Sequence, residues 1–277
     1  MRIPGTGADV SAHIVARAHE VRGSVLRSRS TMTSTLRIVT WNIHKGIGTD
    51  RSYRLDRIVS VLRDLDADVV CLQEVDQGVP RSDFEHQGER LSLELGYPHA
   101  ALGLNVRVKD GAYGNLILSR HPLEDVHNVD LTVPPKKRRS GLVARIRTGP
   151  PEGWLVANVH LGLMHMERRV QVRRLLSHLF DGSRPNQPLV IAGDWNEWAN
   201  RLVRNVMHES GFHVARTDAR PREERTWPSR RPFVSLDKIL YRDPIRCHHV
   251  ACVLDEVTRV ASDHLPLMVE LTTPLKR

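Results

Sequence analysis

Three cysteines in 277 residues, Cys71, Cys247 and Cys252, are too few and too scattered for a disulfide framework or a zinc site, and they fit a reducing, cytoplasmic setting. No run approaches the roughly 18–20 apolar residues that span a bilayer, so no transmembrane segment is expected. There is no repeat at the short periods of solenoids, and no Gly/Ser linker divides the chain after its first residues. Residues 1–34 contain no aromatic residue and no continuous apolar stretch, which excludes a typical secretory signal. Acidic side chains are the minority: 32 Asp and Glu stand against 41 Lys and Arg, a formal charge of +9. That imbalance points to an anionic partner, namely a nucleic acid, a phospholipid surface or a phosphorylated small molecule, although solubility alone would also account for it.

What is present begins with a division at the N-terminus. Residues 1–34 hold five Arg against Asp9 and Glu20, with many Ser and Thr, and read as a disordered extension. Met32, just before the first clear strand, is an alternative start. Residues 35–273 read as one domain. "LRIVTWNI", "ADVVCLQEV", "GNLILSR", "PLVIAGDW", "SLDKILYR", "CHHVACVL" and "PLMVELT" have the composition of strands, and "SGLVARIRT" and "WLVANVHLG" form a hairpin around "GPPEG". "YRLDRIVSVLRDLD" places Leu55, Ile58, Val59, Leu62 and Leu65 on one helical face; "MERRVQVRRLLSHL" does the same with Val172, Leu175, Leu176 and Leu179, and a third helix lies around "RLVRNVMHES". Strands outnumber helices and many are apolar on both faces, so a pair of sheets with helices outside fits better than one open sheet.

Several of these apolar strands end in a polar residue: Asn42, Glu74, His160, then Asp194 and Asn196 in "LVIAGDWNEW". Asp237 stands at a strand start, and Asp263 and His264 directly precede the last strand. Each alone has an ordinary explanation; an Asp at a strand–helix junction is most simply an N-cap. Together they suggest groups converging from rigid positions. The chemistry they suit is phosphodiester hydrolysis. Glu74 and the amide oxygen of Asn42 are ligands for a hard cation such as Mg²⁺, with Mn²⁺ as a substitute. Asp194 can orient or deprotonate the attacking water, and a histidine held by an Asp can donate to a phosphoryl oxygen or protonate the leaving group.

Five ordered motifs, "TWNIHKG", "LQEV", "NVHLG", "GDWNEW" and "SDHLPL", with "LDKILY" before the last, give the chain a resemblance over nearly all of 36–271 to the endonuclease/exonuclease/phosphatase superfamily. That group includes type I deoxyribonucleases, abasic-site endonucleases, neutral sphingomyelinases and inositol polyphosphate 5-phosphatases. The resemblance implies a four-layer α/β sandwich of two mixed sheets flanked by helices. It implies a metal site at Glu74 and Asn42 with Asp263 auxiliary to it, water and phosphate positioning by Asp194 and Asn196, and a catalytic His264 partnered by Asp237. His160 resembles the second histidine of the deoxyribonuclease I branch. "NIHKG", "YGNLILSR" and "VHLGLMHMERRVQ" resemble a bacterial subgroup of hydrolases, some associated with cardiolipin synthase. On that likeness Asn115 lines the cleft or is a turn residue after Gly114. His44 and Lys45 add positive charge where abasic-site enzymes carry an acid.

Substrate choice lies in loops, and the basic runs 136–139 and 220–232 form either rims of the cleft or solvated faces. Trp195 is expected in the core, while Trp198 and Trp227 are candidates for stacking on a ring. The activity expected is metal-dependent hydrolysis of a phosphate ester in a nucleic acid, phospholipid head group or phosphorylated small molecule, by a monomer with peripheral membrane contact possible. A DNA endonuclease is the alternative enzyme, and a catalytically inactive anion-binding module the alternative of another class.

Overall fold

The alternation within β2 (Thr33–Asn42) sets the layering: Leu36 and Ile38 enter one apolar core, Val39 and Trp41 another. β3 (Val69–Gln77) repeats this, with Val69 and Cys71 on the first face and Val70 and Leu72 on the second. A strand covered on both faces reads as a continuous apolar run, which is why these segments lack a polar stripe. The computed structural model describes residues 13–16, 33–148, 153–183, 187–216 and 224–274.

β2 and β3 lie at the centre of a seven-stranded sheet. Its other strands are β1 (His13–Ala16), β4 (His99–Val108), β5 (Gly111–Ser119), β12 (Arg246–Cys252) and β13 (Leu267–Pro274), in the order β1-β4-β5-β3-β2-β13-β12. A six-stranded sheet faces it, formed by β6 (Leu123–Asp130), β7 (Ser140–Ile146), β8 (Trp154–His160), β9 (Leu189–Asp194), β10 (Phe212–Val214) and β11 (Asp237–Arg242), in the order β10-β11-β9-β8-β7-β6. The core between the sheets takes Leu36, Ile38, Cys71 and Ile117 from the first and Ala144, Val156, Val190 and Ile239 from the second. Helices α1 (Leu55–Leu65) and α2 (Gln87–Leu95) cover the outer face of the seven-stranded sheet, and α3 (His165–Gly182) covers that of the six-stranded sheet through Val172, Leu175, Leu176 and Leu179. A short helix, α4 (Thr258–Ala261), places Ala261 against the α1 side. This is the four-layer sandwich expected from the sequence.

Each sheet is mixed in the way that matters for the site. β2 and β3 are parallel, as are β8 and β9, and every other pairing is antiparallel. Parallel neighbours end at the same edge of a sheet. Asn42 therefore leaves its sheet beside Gln73, next to Glu74, and His160 leaves its sheet beside Asp194.

The structure adds elements that the sequence pattern leaves unmarked: β4, β6, β10 and α2. The helix expected around "RLVRNVMHES" is a short turn with a π-helical stretch, Val203–Met207. Most of the N-terminal extension lies outside the described residues; within it His13–Ala16 forms β1, an edge strand antiparallel to β4. Among the described residues no helix is long and apolar enough to cross a membrane, and the three cysteines are free.

Candidate active site

Strand register brings three of the expected residues side by side. His160 is the ladder partner of Asp194, and Asp194 is the partner of Asp237, so adjacent strands β8, β9 and β11 present them at one level. Close approach of β9 to β8 depends on Gly193: a Cβ there would lie 2.0 Å from the Val159 carbonyl oxygen, and its φ of +147° disfavours other residues. Asp194 is buried, and its Oδ1 accepts the backbone N–H of Asn196 at 2.9 Å. Oδ2 accepts from Asn42 Nδ2 at 3.1 Å and lies 3.5 Å from His160 Nε2 and 3.9 Å from His264 Nε2. Capping of the next helix falls to Glu197, whose carboxylate takes the N–H groups of Leu202 and Val203.

His264, near the same Asp194 oxygen as His160, is buried with its Nδ1 2.8 Å from Asp237 Oδ2. Its backbone is fixed from two sides: the carbonyl accepts Trp41 Nε1 at 2.9 Å and the N–H donates to Ser262 Oγ, which itself donates to the Asn42 carbonyl. Asn196 has φ +49° and donates its amide to the Leu161 carbonyl at 2.9 Å. Lys238, buried beside Asp237, reaches the carbonyls of Glu197 and Ser235 and so fastens the loop after β9 to the segment before β11.

Glu74 sits at a β-bulge between Leu72 and Val75, with φ +60°. The bulge turns a side chain that would otherwise continue the pleat. Its carboxylate is in contact with the Lys45 ammonium. His44 and Lys45 also have positive φ, +46° and +64°. Left-handed backbone at non-glycine residues costs about 1 kcal/mol or more each and concentrates at functional sites; here His44, Lys45, Glu74 and Asn196 all show it. His44 Nδ1 is 2.9 Å from the Ile47 carbonyl and 4.0 Å from Asp263 Oδ1, an oxygen otherwise without a partner. Asn42 Oδ1 accepts the His44 N–H at 3.0 Å.

The electrostatics separate the two histidines. Burial, reinforced by the positive charges of Arg139, His264, Lys137 and Lys45, holds His160 well below the usual imidazole range. Burial acts on His264 in the same sense, but the carboxylates of Asp237 and Asp194 outweigh it and push its pKa up to about 10. Burial raises Asp194 to about 6 against the pull of His264. For Glu74, burial opposes ionisation and the cations Lys45, His44 and Lys137 prevail, so its carboxyl lies below the usual range. At neutral pH the site therefore holds a neutral His160, a cationic His264 and ionised Asp194 and Glu74.

Two groups of oxygen donors can be tested as a cation seat. Asp194, Asp237 and His264 have ligand atoms within 4.8 Å of one another, but a protonated imidazole has no lone pair to offer, and its Nδ1 is taken by Asp237. The Glu74 side fits better. Its candidate donors, the Glu74 carboxylate, the Asn42 amide oxygen and Asp263 Oδ1, which has no hydrogen-bond partner, are all oxygens, and the Lys45 ammonium already supplies at Glu74 the positive charge a cation would bring.

Some residues are placed in ways that sequence reasoning did not reach. Asn115 is buried and donates to the Ser140 and Asn158 carbonyls, tying β5 to the facing sheet. Asn158 donates to the carbonyls of Leu72 and Leu116, the first of them at the bulge before Glu74, and accepts from Gln73 Nε2 at 2.7 Å. These amides support the Glu74 bulge from below. Arg139 ends the basic run 136–139, yet it is 94% buried, its Nε has no partner, and it is the foremost charge acting on His160. Lys45, Arg81 and Lys137 surround the Tyr113 ring at 6.0, 5.0 and 5.1 Å. Trp195 is in the core, as expected, whereas Trp198, Trp227 and Phe233 meet edge to face at 5.5–6.1 Å.

A family model described as the endonuclease/exonuclease/phosphatase family matches residues 39–264. The uncharacterized protein YbhP of Escherichia coli K12 is 30% identical over 258 residues, covering 87% of this chain and 98% of YbhP. The structure of an endonuclease/exonuclease/phosphatase protein from Beutenbergia cavernae is similar at a TM-score of 0.68 and 25% identity, over 86% of this chain and 72% of that one. ANGEL2, a 2′,3′-cyclic phosphatase, is similar in fold at a TM-score of 0.69 and 18% identity, over 91% and 100%. Zebrafish (D. rerio) TDP2 bound to a single-strand DNA product is similar in fold at 0.65 and 20%, over 86% and 99%.

Proposed function

From the premise that this chain belongs to the endonuclease/exonuclease/phosphatase family, we propose that it is a Mg²⁺-dependent phosphodiesterase that cleaves a phosphate ester by in-line attack of water. The observation that carries the reading is the arrangement around Asp194: one buried carboxylate whose Oδ2 has a neutral imidazole at 3.5 Å and a cationic one at 3.9 Å. Groups of opposed protonation facing one small volume are what acid–base chemistry on a phosphate requires.

Glu74, with Asn42 and Asp263, would hold the cation. When bound there it would polarise a phosphoryl oxygen and offset charge on the leaving group. The chain's own groups do the rest. Asp194, ionised above about pH 6, accepts the proton of the attacking water as its oxygen bonds to phosphorus and the ester P–O bond breaks. Asn196 steadies Asp194 through its backbone N–H. The His264 cation, kept charged by Asp237, offsets the negative charge that builds on the phosphoryl oxygens. His160, neutral at this burial, serves as a hydrogen-bond donor to substrate; a charged leaving-group acid is better supplied by His264. Lys45 and His44 add positive charge at the phosphate. The phosphate chemistry in the names of ANGEL2 and TDP2's complex agrees with this class of substrate.

The test is Glu74→Gln. It should abolish Mg²⁺-dependent cleavage of bis-p-nitrophenyl phosphate while the circular dichroism spectrum stays that of the parent. Equal cleavage rates for variant and parent would refute the cation assignment.

A further inference from the structure

Five large apolar side chains are exposed around the end of the six-stranded sheet where His160, Asp194 and Asp237 lie. Leu163, Met164 and Met166, 70, 57 and 66% exposed, follow His160 into α3; Trp198, 59% exposed, follows Asn196; Phe233, 53% exposed, precedes Asp237. The segments that carry them are bonded to one another. Asn196 donates to the Leu161 carbonyl, the Trp195 N–H to the Leu236 carbonyl, and Lys238 to the Glu197 carbonyl. The rim is therefore held in place.

Positive charge stands directly behind it. Met166, Arg169 and Arg173 are spaced i, i+3, i+7 on α3 and share a face, so the two guanidinium-bearing residues start about 4.5 Å and about 10.5 Å along the axis from the exposed Met. Arg169, Arg173 and Arg201 line a cavity of about 330 Å³ between α3 and the turn that follows residue 200, together with His165, Asn205 and Glu209. Among the described residues none of the three arginines forms an ion pair. An apolar tip backed by cations matches the depth order of a phospholipid layer, acyl chains beneath phosphates. Trp at such a boundary keeps its ring in the apolar zone and its N–H in the wet one. A nucleic acid would use the cations and rings but gains nothing from three exposed aliphatic side chains.

We propose that this rim, with Arg169, Arg173 and Arg201 behind it, seats the protein on an anionic phospholipid surface, the mouth of the Asp194 site facing the head groups. Only the significance of that orientation rests on the phosphodiesterase reading; the seating itself does not. The assay is co-sedimentation with phosphatidylcholine vesicles and with phosphatidylcholine–phosphatidylglycerol vesicles. The parent binds the anionic vesicles, and added salt weakens that binding. Leu163→Ser/Met164→Ser/Met166→Ser lowers partitioning at least about tenfold and leaves turnover of bis-p-nitrophenyl phosphate unchanged. Arg169→Gln/Arg173→Gln/Arg201→Gln lowers it too and removes most of the salt dependence. Absence of vesicle binding by the parent overturns the proposal, as does undiminished binding by the triple serine variant. Loss of oligonucleotide binding in that variant without loss of vesicle binding overturns it in favour of a nucleic-acid face. The Glu74→Gln protein binds vesicles like the parent, so a failed catalytic reading and a failed surface reading give separate results.

Discussion

Replacing Asp237 with Asn removes one negative charge 2.8 Å from His264 Nδ1 and little volume. In the parent, His264 keeps its proton until about pH 10, because Asp237 and Asp194 outweigh the penalty of burial. Without Asp237, burial is opposed by Asp194, whose carboxylate is 3.9 Å from Nε2, and more weakly by Asp263. We take the ordinary imidazole value near 6.5 as the destination. At pH 8 such a group is about 3% protonated, so a reaction that needs the cation slows roughly 30-fold; at pH 6 it is about three-quarters protonated and the loss is less than about twofold. The defect of Asp237→Asn relative to the parent should thus grow with pH between 6 and 8, while the parent rises about twofold above pH 6 as Asp194 ionises and then holds level until its alkaline limb near 10. The sign for stability is the same. A histidine pKa raised by folding contributes stability that is whole below about 6.5 and is lost as pH rises through about 10. The assay is a pH–rate profile with bis-p-nitrophenyl phosphate, alongside an NMR titration of His264. A defect of equal size at pH 6 and pH 8, or a parent His264 that titrates near 6.5, would refute the reasoning.

Two further substitutions test residues that frame the site. Arg139→Gln should raise KM about tenfold or more with a smaller change in kcat, as expected for a lost charge-assisted hydrogen bond to a phosphate; an unchanged KM would mean that Arg139 does not meet substrate. The same variant should let the pKa of His160 rise, since the foremost charge depressing it is gone. Asn158→Ala leaves the Leu72 and Leu116 carbonyls and the Gln73 amide short of partners, which should cost roughly 2–5 kcal/mol in urea unfolding; a cost below about 1 kcal/mol would show that the bulge finds other donors.

The residues at the ends of apolar strands were legible because strand and polar group are contiguous in the chain. His160, Asp194, Asp237 and His264 come together in space as that pattern suggests. Arg139 was not legible: a basic run looks like a solvated face, and only the facing sheet determines that its last member is buried. Nor were Gln73 and Asn158, since an amide inside an apolar strand has no signature until its partner across the sheets is known. The strands β4 and β6 were missed for a simpler reason. β6 alternates between exposed and half-buried positions at a sheet edge, and β4 carries Gly103, Asn105 and Arg107, so neither shows the apolar density of a central strand. The left-handed backbone at Lys45 and Glu74 is likewise a product of tertiary placement, because neither residue type favours it.

The alignment of His160, Asp194 and Asp237 across three ladder-paired strands has a consequence for how such a protein can change. Their spacing is a property of the sheet, so exchanges of side chains elsewhere, or longer and shorter loops beyond residues 161, 196 and 236, leave it untouched. A frame change inside a strand is another matter, because successive side chains point to opposite faces. Deleting one residue between Leu189 and Gly193 would keep all three groups in the chain while turning Asp194 toward the wrong layer. Changes of chain length that preserve the chemistry are thereby confined to the loops.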